Sequence, residues 1–594
     1  MTPGVLDTAA RSAALRAMAE REHDVLVVGG GVVGAGCALD AAGRGLSVAL
    51  VEAQDWASGT SSRSSKLVHG GLRYLEMLDF GLVREALGER ALLLERLAPH
   101  LVRPVPFLYP LTRRGWERPY VTAGLVLYDT MGSQVGRGRG LGGDRGLGGG
   151  RGLGGGRGLP RHRQLSRGGA LRLFPGLRPD ALVGAVQYWD AQVDDARHTL
   201  TVVRTAAATG ARCANRAQVV DLLREGAAVV GAVVVDLERG ERIAVRARHL
   251  VNATGVWTER TQSLAGGAAQ VHVRASKGVH LVLPRSAIDG EVGLILRTES
   301  SVLFVIPWGR HWLVGTTDTD WHLDLEHPAA SRRDVDYLLD RLNEALRRPV
   351  RAEQIEGVYA GLRPLLAGES EATSKLSREH SVSSPVPGMT VVAGGKYTTY
   401  RVMARDAVDA AVAGRAGVAP SCTDRLPLLG AEGWPAVRNS AGRLAAESGL
   451  DRGTVDHLLG RYGSLVHDVL ALVAERPELA ERLPGSADYL AAEVVYAARA
   501  EGALHVPDVL IRRTRMSIES PDRGEMAAEV VAALLGAELG WDAGRVAREV
   551  DYYRNRVKAE RESQEAPDDA AADATRLAAP ELVPSAPLAH HSRS

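Results

Sequence analysis

Apolar positions along the chain follow three patterns, and each predicts different elements. Residues 24–52, DVLVVGGGVVGAGCALDAAGRGLSVALVE, open with a short β-branched run, pass through glycines into an alanine-rich stretch, and end in a second apolar run. Apolar runs without alternation predict strands buried on both faces of a parallel sheet, here joined by a helix. Residues 219–251 alternate around Gly226, Gly231 and Gly240, which predicts an antiparallel meander. Residues 304–320 predict two strands about a turn. Leucines spaced among Arg and Glu over 80–97 predict an amphipathic helix ended before Pro99, and a second helix is entered at Asp194 or Asp195 and runs through Ala208, with the acids read as caps. From Arg425 onward, alanine- and leucine-rich segments at 434–448, 455–462, 466–474, 487–500 and 523–558 predict helices between glycine turns. Pattern is lost twice. Residues 136–158 are a glycine/arginine repeat, and the tail after Glu562 is rich in Ala, Pro and acids. Neither can bury enough to offset its ordering entropy, so both are expected to be disordered.

Length and charge narrow the picture. A chain of 594 residues is too long for one core. Lys+Arg 72 against Asp+Glu 71 gives a net charge of +1 and no reason to expect a nucleic-acid partner. The repeat lacks aromatic residues for stacking on RNA. Cys37, Cys213 and Cys422 show no metal or redox spacing, consistent with reduced, buried thiols in a cytoplasmic protein and with no metal site. No apolar run is long enough to span a membrane, and the mixed-charge helix near 9–21 lacks the core of a signal peptide. Peripheral attachment stays open.

The chemistry begins in the first motif. Gly29, Gly31 and Gly34 form G-x-G-x-x-G between strand and helix, and Glu52 ends the second strand where a carboxylate accepts from a ribose. That predicts FAD or NAD before NADP. The next stretch adds Thr60, Ser61 and Ser62 as donors to phosphate or flavin oxygens, then Lys66, Leu67, His69, Gly70, Arg73 and Tyr74. Ala253, Thr254 and Gly255 form a strand-to-glycine turn far downstream, which predicts a split domain suited to FAD. At 394–400, two glycines precede a predicted helix, so free N–H groups of Thr398, Thr399 and Tyr400 would face a reduced flavin's negative charge.

SSRSSKLVHGGLRYLE, with GGGVVGAG and AAGRGLSVALVEAQD, resembles the FAD-dependent glycerol-3-phosphate dehydrogenases. These respiratory flavoproteins oxidise sn-glycerol 3-phosphate to dihydroxyacetone phosphate and pass electrons to quinone. VPDVLIRRTRMSIE resembles the family's C-terminal signature; we read Arg512, Arg513 and Arg515 as packing against carboxylates, with anionic lipid as the alternative. The resemblance implies an α/β fold: an FAD-binding Rossmann-like domain of glutathione-reductase/D-amino-acid-oxidase type, an α+β substrate domain and an all-α C-terminal domain. Its expected division is an N-terminal extension (1–22), FAD-binding parts (23–98, 191–268, 355–418), substrate-domain parts (99–190, 269–354) with a disordered insertion at 136–160, helices (419–560) and a disordered tail (561–594). It further implies Arg73, Tyr74, Arg378 and Lys396 as substrate ligands, His280 as base and Arg363 as the group that steadies the developing carbonyl oxygen. The cofactor site would use Gly29, Gly31, Gly34, Glu52, Thr60, Ser61, Ser62, Lys66, Leu67, His69, Gly70, Ala253, Thr254, Gly255, Gly395, Lys396, Thr398 and Thr399. A peripheral location on the inner face of the cell membrane, a quinone acceptor and a homodimer complete the expectation. Alternatives are an oxidase giving peroxide, a flavin oxidase of amino or hydroxy acids, and a non-catalytic flavoprotein or RNA-binding protein using the repeat.

Overall fold

The computed structural model describes residues 3–71, 79–113, 115–135, 159–266, 269–298, 302–367 and 379–589. The glycine/arginine repeat, Arg73, Tyr74 and Arg378 lie outside the described residues.

The fingerprint segment is strand β1 (His23–Val28), helix α2 (Val32–Gly43) and strand β2 (Val48–Val51), preceded by helix α1 (Thr8–Glu20). In chain order, the elements that follow are β3 (Leu67–Val68), β4 (Arg103–Leu111), β5 (Arg163–Ser166), β6 (Gly184–Gln192), β7 (Arg212–Ala214), β8 (Ala217–Glu225), β9 (Ala228–Asp236) and β10 (Glu241–Asn252). After them come β11 (Val273–Pro284), β12 (Gly293–Arg297), β13 (Val302–Trp308), β14 (His311–Gly315), β15 (Thr319–Trp321), β16 (Gly357–Leu366), β17 (His380–Val386) and β18 (Met389–Gly394).

Two sheets organise these strands. The first runs β17-β18-β10-β1-β2-β7, with β18, β10, β1, β2 and β7 mutually parallel. The fully buried β2 and nearly buried β1 reflect their apolar runs, since both sheet faces are covered. On one face, α2 and helices Asp195–Ala208 and Tyr400–Ala411 enclose a core that includes Val25, Val27, Leu50, Ala38 and Ala407. On the other, α1 and the meander β8-β9-β10 enclose Leu26, Val28, Met18 and Val234. The sequence-distant pieces 23–51, 212–252 and 389–394 thus build one sheet, as the split-domain expectation requires.

The second sheet is ordered β15-β11-β14-β13-β12-β4-β6-β3, with β16 on the far edge of β11 and β5 on β6. It carries His280 on β11 and Arg363 on β16. The C-terminal segments 434–448, 452–475 and 491–565 carry helices joined by short turns around a separate core that includes Leu458, Val495, Val531 and Tyr553. The predicted helix over 523–558 is two helices, Glu525–Leu539 and Ala543–Glu565, because Gly540 takes φ 71° at the junction.

The tail corrects the sequence reading. Helix Asp569–Leu577 is ordered, and the chain stays placed through Ala589. Lys277 is the physical reason: its fully buried ammonium is neutralised by Asp334 at 2.6 Å and by Asp569 of the tail at 2.5 Å. Ala572 then seats against Trp321, Leu362 and Val256. Composition registers neither anchor, because each partner lies far away in sequence. Arg512, Arg513 and Arg515 pack against carboxylates as expected: the first two on Asp55, the third on Asp194 and Asp195.

Candidate active site

Where β1 ends, the backbone must turn sharply over the sheet edge. Gly29 has φ 111°, and a Cβ there would lie 2.7 Å from the Ala253 carbonyl oxygen. A Cβ on Gly34 would lie 1.9 Å from the Gly29 carbonyl oxygen, so only glycine lets α2 approach this closely. Gly31 caps α2, where Ser61 Oγ accepts from Val32 N at 2.9 Å. Glu52 follows β2 and accepts from Gly30 N at 2.6 Å and Gln54 N at 2.8 Å. Burial pushes its carboxyl pKa up, against the pull of those two N–H groups.

A single cavity of about 360 Å³ runs from this motif to the second sheet. Of the residues expected at the cofactor, it is lined by Gly29, Gly31, Glu52, Thr60, Ser61, Leu67, His69, Ala253, Thr254, Gly255, Gly395 and Lys396. His280 and Arg363 line it too. The others stand behind the wall. Gly34 packs helix on strand, Ser62 faces the Gly59 carbonyl, and Gly70 N donates to Tyr128 Oη at 2.8 Å. Thr398 Oγ1 accepts from His69 N at 3.1 Å and donates to His69 O at 3.2 Å, fixing that lining residue.

Two expectations change here. Lys66 is fully buried outside the cavity wall, its ammonium 2.8 Å from Asp195 and 3.0 Å from the Ser62 carbonyl oxygen. Burial and then Arg515 lower its pKa to about 8, against Asp195. Asp195 is therefore more than a cap, since it also accepts from Ser64 N and Oγ and pairs with Arg515. The second change concerns the segment after Gly395. Residues Tyr397–Thr399 form a 3₁₀ turn in which Thr399 N donates to Lys396 O and Tyr400 N to Tyr397 O. These two N–H groups are spent within the turn and are not free to face a ligand.

At the far end, the His280 ring is sandwiched by sheet geometry. β14 presents Gly315 opposite it, where a Cβ would lie 2.3 Å from the ring, and β16 stacks Tyr359 on it at 4.7 Å and 7°. His280 Nε2 lies 2.9 Å from Ser65 Oγ, while Nδ1 is buried without a hydrogen-bond partner among the described residues. Burial, then Arg363 and Lys66, hold its pKa well below the ordinary histidine value, so the ring is neutral. Arg363 donates to Thr316 Oγ1 at 3.0 Å and Thr317 O at 3.2 Å and faces Asp318 at 3.4 Å, which fixes the guanidinium at the wall. Sequence reading missed Ser65, Tyr359, Arg63 and Trp257. Ser65, Arg63 and Trp257 line the cavity, but an isolated Ser, Arg or Trp carries no motif.

A mainly parallel sheet with a glycine fingerprint, sharing one cavity with a mixed, mainly antiparallel sheet that supplies a neutral histidine and a fixed arginine, defines a dinucleotide-dependent oxidoreductase. Comparison gives the same class: the model of the FAD dependent oxidoreductase family matches residues 24–410, and that of the C-terminal domain of alpha-glycerophosphate oxidase matches 421–546. Glycerol-3-phosphate dehydrogenase 2 of Mycobacterium tuberculosis is 55% identical over 97% of this chain and 95% of its own length. The mitochondrial glycerol-3-phosphate dehydrogenase of Homo sapiens is 36% identical over 88% of this chain and 71% of its own. A crystal structure of the Bacillus halodurans glycerol-3-phosphate dehydrogenase complexed with FAD superposes with TM-score 0.74 at 29% identity, covering 93% of this chain and 98% of that one. The chain belongs to the FAD-dependent glycerol-3-phosphate dehydrogenase family.

Proposed function

We propose that the chain oxidises sn-glycerol 3-phosphate to dihydroxyacetone phosphate and passes the electrons to a membrane quinone. The observation that carries this reading is the continuity of the cavity from Glu52 and the fingerprint to His280, Arg363 and Lys396. Its residues fit FAD: the glycine cradle excludes any Cβ at Gly34, Glu52 is a half-buried acceptor, and His280 Nδ1, buried without a hydrogen-bond partner among the described residues, suits a site that a bound polar group completes. FAD, when bound, supplies the two-electron acceptor for the C2 hydride.

The protein's own groups handle charge and protons. His280 is neutral and able to take the C2 hydroxyl proton, while the Ser65 hydroxyl fixes the environment of Nε2. A substrate phosphate near Arg363 and Lys396 offsets the positive charge that depresses the ring, raising its basicity when substrate is present. Arg363 steadies the negative charge that develops on the oxygen as the proton leaves. Lys396, with Arg73, Tyr74 and Arg378, holds the substrate, chiefly its phosphate. Binding that remote group positions C2 for reaction.

Peripheral attachment to the inner face of the cell membrane and a homodimer belong to the same reading. Exposed Trp116, Tyr120, Val126 and Leu127, on or beside helix Glu117–Val135, support the first, because such side chains suit a bilayer interface. Among the described residues no helix is long and apolar enough to cross a membrane. The acceptor is tested without oxygen. Stoichiometric reduction of a soluble quinone analogue by sn-glycerol 3-phosphate supports the reading; peroxide release in air with no quinone reduction points to the oxidase.

A further inference from the structure

The last described residues of the chain lie against the cavity. Ser585 and Leu588 are part of its wall, beside Gln218 and Val219 at the start of β8. Four hydrogen bonds hold them there, one of them from Ser585 Oγ to the Glu326 carboxylate at 3.4 Å. Gln218 clasps residue 586 from both sides, accepting from Ala586 N at 2.8 Å and donating to Ala586 O at 3.0 Å. Ala589 N donates to Val220 O at 3.0 Å. Leu588 packs on the core formed by the meander and β1. Upstream, Glu581 bonds Tyr552, His327 and Arg556, so the segment is tethered at both ends. The place is defined by Ala217, whose N–H donates to the Glu52 carbonyl oxygen at 2.8 Å. On the FAD reading Glu52 accepts from the ribose, which puts the segment at the nucleotide end of the cavity.

We infer that residues 584–589 are a C-terminal strap that completes the FAD site at its adenosine end and governs how fast the cofactor leaves. This rests on the FAD reading above. The apolar Leu588 and the Ser585 hydroxyl form part of the wall that a dinucleotide at Glu52 meets, and they belong to a short segment that is a strand of neither sheet. Such a segment is able to open without disturbing either sheet. Cofactor exchange then requires the Gln218 clasp and the Ala589–Val220 bond to break first.

The test measures FAD release from the full-length holoenzyme after dilution, followed by the fluorescence of free flavin, in wild type, a chain ending at Val583, and Leu588→Asp. Removing the wall that the Leu588 side chain and the Ser585 hydroxyl present to the cofactor, one apolar contact and one polar group, corresponds to release roughly 10- to 50-fold faster in the truncated chain. Leu588→Asp is expected to release severalfold faster, and its FAD-free form to melt as the wild type does. Wild-type release rates in both variants overturn the strap while leaving the FAD site standing. Should the truncated chain fail to fold, the single substitution decides alone. A wild-type protein that holds no FAD overturns the reading of the site as well.

Discussion

Exchanging the two partners of the Lys66–Asp195 pair in turn gives unequal losses. Asp195 is fully buried and serves Lys66 at 2.8 Å, Ser64 N at 2.8 Å, Ser64 Oγ at 2.7 Å and the guanidinium of Arg515. Asp195→Asn removes the charge that two buried cations share, leaving Lys66 with neutral partners: the Ser62 carbonyl, the Tyr359 ring face and an amide oxygen. Breaking a buried pair this way costs about 3–5 kcal/mol. Lys66→Met costs only about 1 kcal/mol, because Asp195 keeps Arg515 and both Ser64 donors and because the lost ammonium was already disfavoured. Unfolding entropy grows with length, so a chain of 594 residues moves by roughly 1 °C per kcal/mol, and the expected falls in Tm at pH 7 are about 4 °C for Asp195→Asn and about 1 °C for Lys66→Met, read by scanning fluorimetry. The sign with pH is also fixed. Lys66 has its folded pKa lowered from 10.5 to about 8, so its charge penalises the folded state below pH 8 and that penalty vanishes as pH rises to 10.5. Wild type should therefore gain stability relative to Lys66→Met across that window. A Lys66→Met protein as damaged as Asp195→Asn would refute the account of this cluster.

Three further expectations use other sites. Gly34→Ala forces a Cβ within 1.9 Å of the Gly29 carbonyl oxygen, so we expect about 2–4 kcal/mol of lost stability and a purified protein with less flavin, measured as the flavin-to-protein absorbance ratio. His280→Asn should keep the flavin absorbance yet lower kcat by on the order of 10²–10⁴, and full turnover in that variant would remove histidine as the base. Burial and Arg216 oppose protonation of His505, but Glu238 and Glu549, each 2.8 Å away, outweigh them and raise its pKa above 6.5. Its contribution is complete below pH 6.5 and is lost as pH rises through the higher folded value, so the Tm of wild type should fall more steeply than that of His505→Gln above neutrality.

What could be read from the sequence was local or periodic. The fingerprint, Glu52, the meander and the order of the C-terminal helices each lie within one stretch whose pattern is set by near neighbours. Long-range polar pairing was illegible: Ser65 meets His280 across 215 positions, and Lys66 meets Asp195 across 129. Lys66 was expected at the cofactor because it stands among residues that do line the cavity; its left-handed backbone, φ 59°, accompanies a side chain turned into the interior. The tail misled for a related reason. Ala-, Pro- and acid-rich composition describes a segment without its own core, whereas this one is ordered by Lys277, Gln218 and Arg556, which need its carboxylates and carbonyls. The N–H groups after Gly395 show a finer limit. A pattern predicts that a helix begins, but not that its first turn is 3₁₀ and consumes its own donors.

Central to the account is that one substrate reduces one bound flavin in this cavity. The most direct measurement is the anaerobic absorbance spectrum of the purified protein before and after addition of sn-glycerol 3-phosphate. The expected result is an oxidised-flavin band that bleaches with this substrate and survives lactate or an amino acid; a yellow protein that does not bleach, or a colourless one that FAD cannot reconstitute, would contradict the assignment.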